Sequence, residues 1–185
     1  MTDQEMEESF ISIFNGHDLT GWKEVGTTGA WNAENGELIC SGEGRGWIHP
    51  LGIFEDFILR LEYRIAVEGN SGIFVRTSEE GRPAFQGMEI QILDDTGKPV
   101  SVKSTGAIYD SVAPTKDMSK PAGEWNDVEV VCNGRQVQVT LNGKQIIDTN
   151  LDDHGDLKDR LHQGYIGVQN HRTGVAFKNI RLKEL

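Results

Sequence analysis

Along much of the chain, apolar and polar positions alternate with a period of two, in short runs. Leu59-Arg60-Leu61-Glu62-Tyr63-Arg64-Ile65 alternates cleanly behind a continuous Phe57-Ile58-Leu59. Val128–Val131, Gln136–Leu141 and Val175–Leu182 repeat the pattern. Successive side chains of an extended strand point to opposite faces, so this period predicts strands with one face in a core. Turn signals separate the runs, among them Asn15-Gly16, Asn35-Gly36, Thr96-Gly97, Asn133-Gly134 and Asn142-Gly143. The last two predict hairpins joining three consecutive strands. Helical periodicity is nearly absent, and only Asp152–Leu161 reads as a short helix or turn. About a dozen strands with short links predict one all-β domain over residues 10–185, a two-sheet sandwich in preference to a barrel. Residues 1–9 are acidic and polar and are expected to form a flexible lead.

Composition narrows the partners. The net charge of −11, from 18 basic and 29 acidic residues, argues against nucleic acid and anionic membrane, because a polyanion is repelled. Neutral ligands such as sugars are compatible with it. No run of about eighteen apolar residues is present to suggest a transmembrane helix. The first residues lack the basic start and apolar stretch of a signal peptide. This reading places the protein in the cytoplasm if the sequence is complete, and leaves export open if a leading segment precedes it. Cys40 and Cys132 each sit in a β-like run and are expected to be small buried hydrophobes.

The strand-like stretch Gly87-Met88-Glu89-Ile90-Gln91-Ile92-Leu93-Asp94-Asp95 carries the candidate chemistry. Alternation puts Ile90 and Ile92 toward a core and Glu89 and Gln91 together on the other face. A carboxylate within an apolar run is costly to bury without a partner, so the strand is either the floor of a polar cleft or simply has a wet outer face. Arg76 ends the preceding run, Ser71–Arg76, and is a candidate partner of Glu89 or a structural ion-pair residue. His171 stands near the end of a late strand, where it suits proton transfer. Asn70 and Gln169 suit hydrogen bonding to sugar hydroxyls. Tyr109 and Trp47 are candidates to stack on a sugar ring, with the core as the alternative for Tyr109. Glu89, Asp94, Asp95 and His171 are considered as an oxygen-rich site for Ca²⁺ or Mg²⁺, although no spacing requires it.

Several of these stretches fall in one ordered series. Phe14-Asn15-Gly16-His17-Asp18-Leu19-Thr20-Gly21-Trp22 is followed by Asn70–Arg76, Gly87–Asp94, Thr105–Asp110, Gly123–Asn126, Leu141–Gly143, Gly164–His171 and Phe177–Leu182. The series resembles the 3-keto-disaccharide hydrolase family from about residue 10 to the end. The resemblance implies a concanavalin A-like jelly-roll β-sandwich of two curved antiparallel sheets with a sugar cleft on one of them. It also implies hydrolysis of 3-keto-glycosides; a ketone at C3 acidifies the C2 proton, which makes Glu89 the candidate base, with His171 and Arg76 as the other catalytic candidates and no cofactor demanded by the sequence.

Glu89-Ile90-Gln91-Ile92-Leu93-Asp94 is also similar to the paired-carboxylate signature of laminarinase-type glycosidases, which share this fold. Gln91 replaces the middle acid, and alternation turns Asp94 away from Glu89 unless a bulge intervenes. These departures argue against a retaining glycosidase, whose two carboxyl groups stand about 5 Å apart. A non-catalytic carbohydrate-binding module and a conventional glucanase remain as alternative readings.

Overall fold

The computed structural model describes residues 2–185. In chain order the elements are α1 (Asp3–Glu7), β1 (Ile11–Ser12), β2 (Trp22–Gly26), β3 (Trp31–Glu34), β4 (Glu37–Cys40), β5 (Gly46–Pro50), β6 (Phe57–Ile65), β7 (Asn70–Thr77), α2 (Pro83–Gln86), β8 (Met88–Leu93), β9 (Asn126–Asn133), β10 (Gln136–Leu141), β11 (Lys144–Asn150), β12 (Tyr165–Asn170) and β13 (Val175–Glu184). Between β11 and β12, only Leu151–Asp153 closes into a 3₁₀ turn.

The strands form two antiparallel sheets. The larger runs β11-β10-β9-β6-β13-β4-β3, with β1 paired to β13, and the smaller runs β2-β5-β12-β7-β8. Their facing sides build one core. Strand β6 shows why: Phe57, Leu59, Leu61, Tyr63 and Ile65 are all buried and the residues between them are partly exposed. Each such side chain contributes about 1.5–3 kcal/mol on burial, so a shift of one residue would put five core groups into water. The hairpins sit where the Asn-Gly pairs predict. Asn35-Gly36 and Asn142-Gly143 both have positive φ at both residues, the type I′ geometry that matches strand twist. Cys40 and Cys132 are free thiols within the core.

The acidic N-terminus is folded where flexibility was expected. Thr2 and Glu5 form a reciprocal capping box at the start of α1. Glu5 is buried and accepts from Arg181 Nε at 2.6 Å and Arg60 Nη1 at 3.2 Å, tying the segment to β13 and β6. Met1 lies outside the described residues.

Candidate active site

The five-stranded sheet has an apolar face and a polar one. Ile48, Val168, Ile73, Ile90 and Ile92 face the core. On the opposite face, the register sets Glu89 against Phe74, and Gln91 against Gly72. Gln169 lies across from Trp47 on the next strand pair. The outer edge of β8 is covered by residues 106–109. Gln91 N–H donates to Ala107 O at 3.0 Å and Tyr109 N–H to Glu89 O at 2.8 Å, which brings Tyr109 beside Glu89.

These residues surround a cleft of about 290 Å³. Its lining includes Asn70, Phe74, Glu89, Gln91, Tyr109, Gln169 and His171, together with Arg45 and the Gly81–Phe85 segment. Glu89 is the one carboxylate among the described lining residues. It is only 4% exposed. Burial pushes its carboxyl up to about 7, against a partial pull downward from the Gln169 side chain. Gly72 makes room for it: a Cβ there would come within 2.3 Å of Glu89 Oε1. The glycine inside β7 therefore marks a close approach.

The other lining groups differ in how they are held. Gln91 Oε1 accepts from the Ile92 N–H at 3.0 Å. Asn70 is fixed through its backbone, which exchanges hydrogen bonds with the Thr173 hydroxyl. Gln169 Oε1 is buried without a hydrogen-bond partner among the described residues. His171 has its pKa lowered by burial and by the nearby positive charges of Arg45 and Arg172, which favours the neutral imidazole. The wall opposite is α2. Phe85 meets Tyr109 edge to face at 6.3 Å, and Arg82 stacks on Phe85 at 4.3 Å. The buried Arg160 donates to Gly87 O at 2.9 Å and to Ala84 O, and so anchors α2 at the cleft.

The sequence matches the 3-keto-alpha-glucoside-1,2-lyase-like domain family over residues 9–183. The chain belongs to this family. A curated family relative, a 3-keto-disaccharide hydrolase from Bacteroides thetaiotaomicron, is 25% identical across 96% of this chain and 79% of its own length. A Parabacteroides distasonis protein described as a candidate glycosyl hydrolase superposes with a TM-score of 0.87 at 26% identity, covering 100% of this chain and 98% of that one. The carbohydrate binding module CBM66 from Bacillus subtilis shares the fold at a TM-score of 0.64 and 15% identity, over 89% of this chain and 96% of that one. The architecture is the concanavalin A-like jelly-roll sandwich.

Six of the eight residues singled out from the sequence meet at the cleft: Glu89, Gln91, Asn70, Tyr109, Gln169 and His171. Arg76 does not. Parity alone would set it beside Phe74, but the backbone turns there with φ of 51°. Its fully buried guanidinium binds Asp56 Oδ1 at 2.8 Å, Glu55 O at 2.7 Å and Gly134 O at 2.7 Å, toward the other sheet. Its role is the structural ion pair. Trp47 is 3% exposed, packed against His49 and Phe74 and lying over Gly167, so it supports the cleft floor without lining it.

The oxygen-rich metal set is not assembled. Asp94 Oδ2 accepts from Glu68 N–H at 2.8 Å, and Asp95 is held by Thr105 through hydroxyl and N–H. No group of three or more His, Cys, Asp or Glu side chains suited to a metal occurs among the described residues. Arg45, Arg82 and Phe85 were missed by the sequence reading. Pro83, placed where it can open a short helix, was the available signal for α2.

Proposed function

We propose that the protein cleaves the glycosidic bond of 3-keto-glycosides, with Glu89 as the base that removes the proton from C2. The observation that carries this reading is a single buried carboxylate, its carboxyl pushed up to about 7 by burial, at the floor of a cleft with no second acid among its described lining residues. An ordinary glycosidase needs two carboxyl groups flanking the bond. A ketone at C3 removes that need, because it makes the C2 hydrogen acidic.

The proton passes from C2 to the Glu89 carboxylate, and its electron pair moves toward the C3 carbonyl as an enolate. The pair then returns to form a C1–C2 double bond as the C1–O bond breaks, and the aglycone oxygen takes a proton. A lyase stops there; water adding across the double bond completes a hydrolysis. A base whose pKa lies near the working pH balances ionised fraction against proton affinity. The Tyr109 hydroxyl and a neutral His171 are the groups suited to donate to the enolate oxygen. The unpartnered Gln169 Oε1 is an acceptor for a sugar hydroxyl.

The test is aglycone release from a glucoside and its 3-keto derivative, by the wild type and by Glu89→Gln. Release from the ketone alone, lost in the variant, is expected. Equal release from the unoxidised glucoside would overturn the mechanism. Unchanged binding without turnover by either protein would return the fold to a binding module.

A further inference from the structure

The arginines of this chain are sorted by place. Arg60, Arg64, Arg76, Arg135, Arg160 and Arg181 each have a carboxylate within 4.0 Å. The remaining three, Arg45, Arg82 and Arg172, pair with no carboxylate among the described residues. Two of these line the cleft, and the third follows His171, whose imidazole feels its charge. In a chain with 29 acidic residues, an unpaired arginine is the exception. The two that line the cleft share it with Glu89, the one carboxylate among its described lining residues, so the cleft itself offers two free guanidinium groups against one acid. The exposed Glu43 and Glu80 stand two residues from Arg45 and Arg82 but form no ion pair with them, and solvent and salt weaken the pull of such exposed charges.

Arg82 is also preorganised. Its guanidinium carbon sits over the Phe85 ring at 4.3 Å from the centroid, and Phe85 also carries the buried Arg160 at 5.1 Å. A stacked guanidinium keeps its in-plane N–H groups free, and that fork matches the two oxygens of a carboxylate. Arg45 is exposed just ahead of β5; its backbone N–H donates to the Thr27 hydroxyl and its carbonyl accepts from the Thr27 N–H, while its guanidinium makes no hydrogen bond among the described residues.

We propose that the cleft selects 3-keto-glycosides whose aglycone carries a carboxylate, held by Arg45 and Arg82. This rests on the reading of Glu89 as a C2 base and names the substrate class for that same site. A monoanion suits the cleft better than a dianion, because the ionised Glu89 repels added negative charge.

The probes are the 3-keto-glucosides of 4-hydroxybenzoate and 4-hydroxybenzamide, which differ in the charge at one end of the ring. The wild type is expected to favour the carboxylate probe by about tenfold in kcat/KM, mostly through KM, with the preference shrinking as salt rises. Arg82→Gln and Arg45→Gln should each reduce that ratio and the double variant should bring it near one, while Arg82→Lys should restore part of it. Equal kcat/KM for both probes in the wild type would overturn the proposal and leave the base reading intact. An arginine loss that slows both probes equally would overturn it as well, because those residues would then serve the chemistry. If neither probe is turned over, calorimetric affinity of the Glu89→Gln protein for the two probes decides: tighter carboxylate binding supports the selection, and equal binding overturns it.

Discussion

Glu5 and Glu89 expose equally little surface, 5% and 4%, but Glu5 is covered close to the protein's edge while Glu89 lies deep within it, and they end in opposite states. Burial pushes both carboxyls up. At Glu5 the Thr2 N–H, Arg181 and Arg60 more than reverse this and bring it down to about 2. At Glu89 burial dominates, the Gln169 side chain alone among the described residues opposes it, and the carboxyl is pushed up to about 7. Low exposure alone therefore does not decide the charge of an acid; depth and the supply of donors together do. One glutamate is a structural tie between α1 and the large sheet. The other is kept short of partners beneath a cleft, as the proposed base role requires.

Removing the base gives the largest expected effect. Glu89→Gln should lower turnover of a 3-keto-glucoside by about a thousandfold, within the usual range for a lost general base. It should also stabilise the fold at high pH. Between 4.5 and about 7 the folded state keeps a proton that the unfolded chain has released, so stability falls as pH rises through that window. Above it the full cost is on the order of 3 kcal/mol, and denaturant unfolding at pH 8 should show the variant more stable than the wild type. A variant that lost both activity and stability at pH 8 would break the contrast with Glu5.

Gly72→Ala comes next. Its methyl would displace the Glu89 carboxyl from its cradle, and a misplaced base costs roughly a hundredfold in kcat. Melting temperature serves as the control, since a fall of many degrees would mean a damaged sheet in place of a moved side chain. Glu5→Gln should act only on stability. Leaving Arg60 and Arg181 without their shared acid should cost about 1–3 kcal/mol at pH 7, less than a fully buried pair because both arginines are partly exposed. That difference should vanish as pH falls from 4.5 toward 2, where the wild-type Glu5 is itself protonated. kcat/KM should be unaffected by Glu5→Gln, and in the wild type should rise with pH to a plateau above about 7.

What was legible in the sequence follows from locality. The period of two placed Glu89 and Gln91 on one face and Ile90 and Ile92 on the other, because β8 is regular over its length. The same rule failed for Arg76, since an irregular register between β7 and β12 and a positive φ redirect the side chain. Its partner Asp56 lies 20 residues away in sequence, beyond any local pattern. Trp47 stood in a glycine-rich stretch that reads as a loop, whereas residues 46–50 are a strand of the sheet. The Thr2–Glu5 capping box was written in the sequence, but an acidic start outweighed it. The arginines of the cleft carried no signal of their own, because an unpaired cation is recognised only when the positions of all the acids are known.

The most direct measurement is a carbon-13 NMR titration of the two glutamate carboxyls in one sample, assigned with the Glu5→Gln and Glu89→Gln proteins. A Glu89 midpoint near 7 and a Glu5 midpoint near 2 are expected. A Glu89 that titrates near 4, as an exposed carboxylate does, would contradict a base held ready by burial.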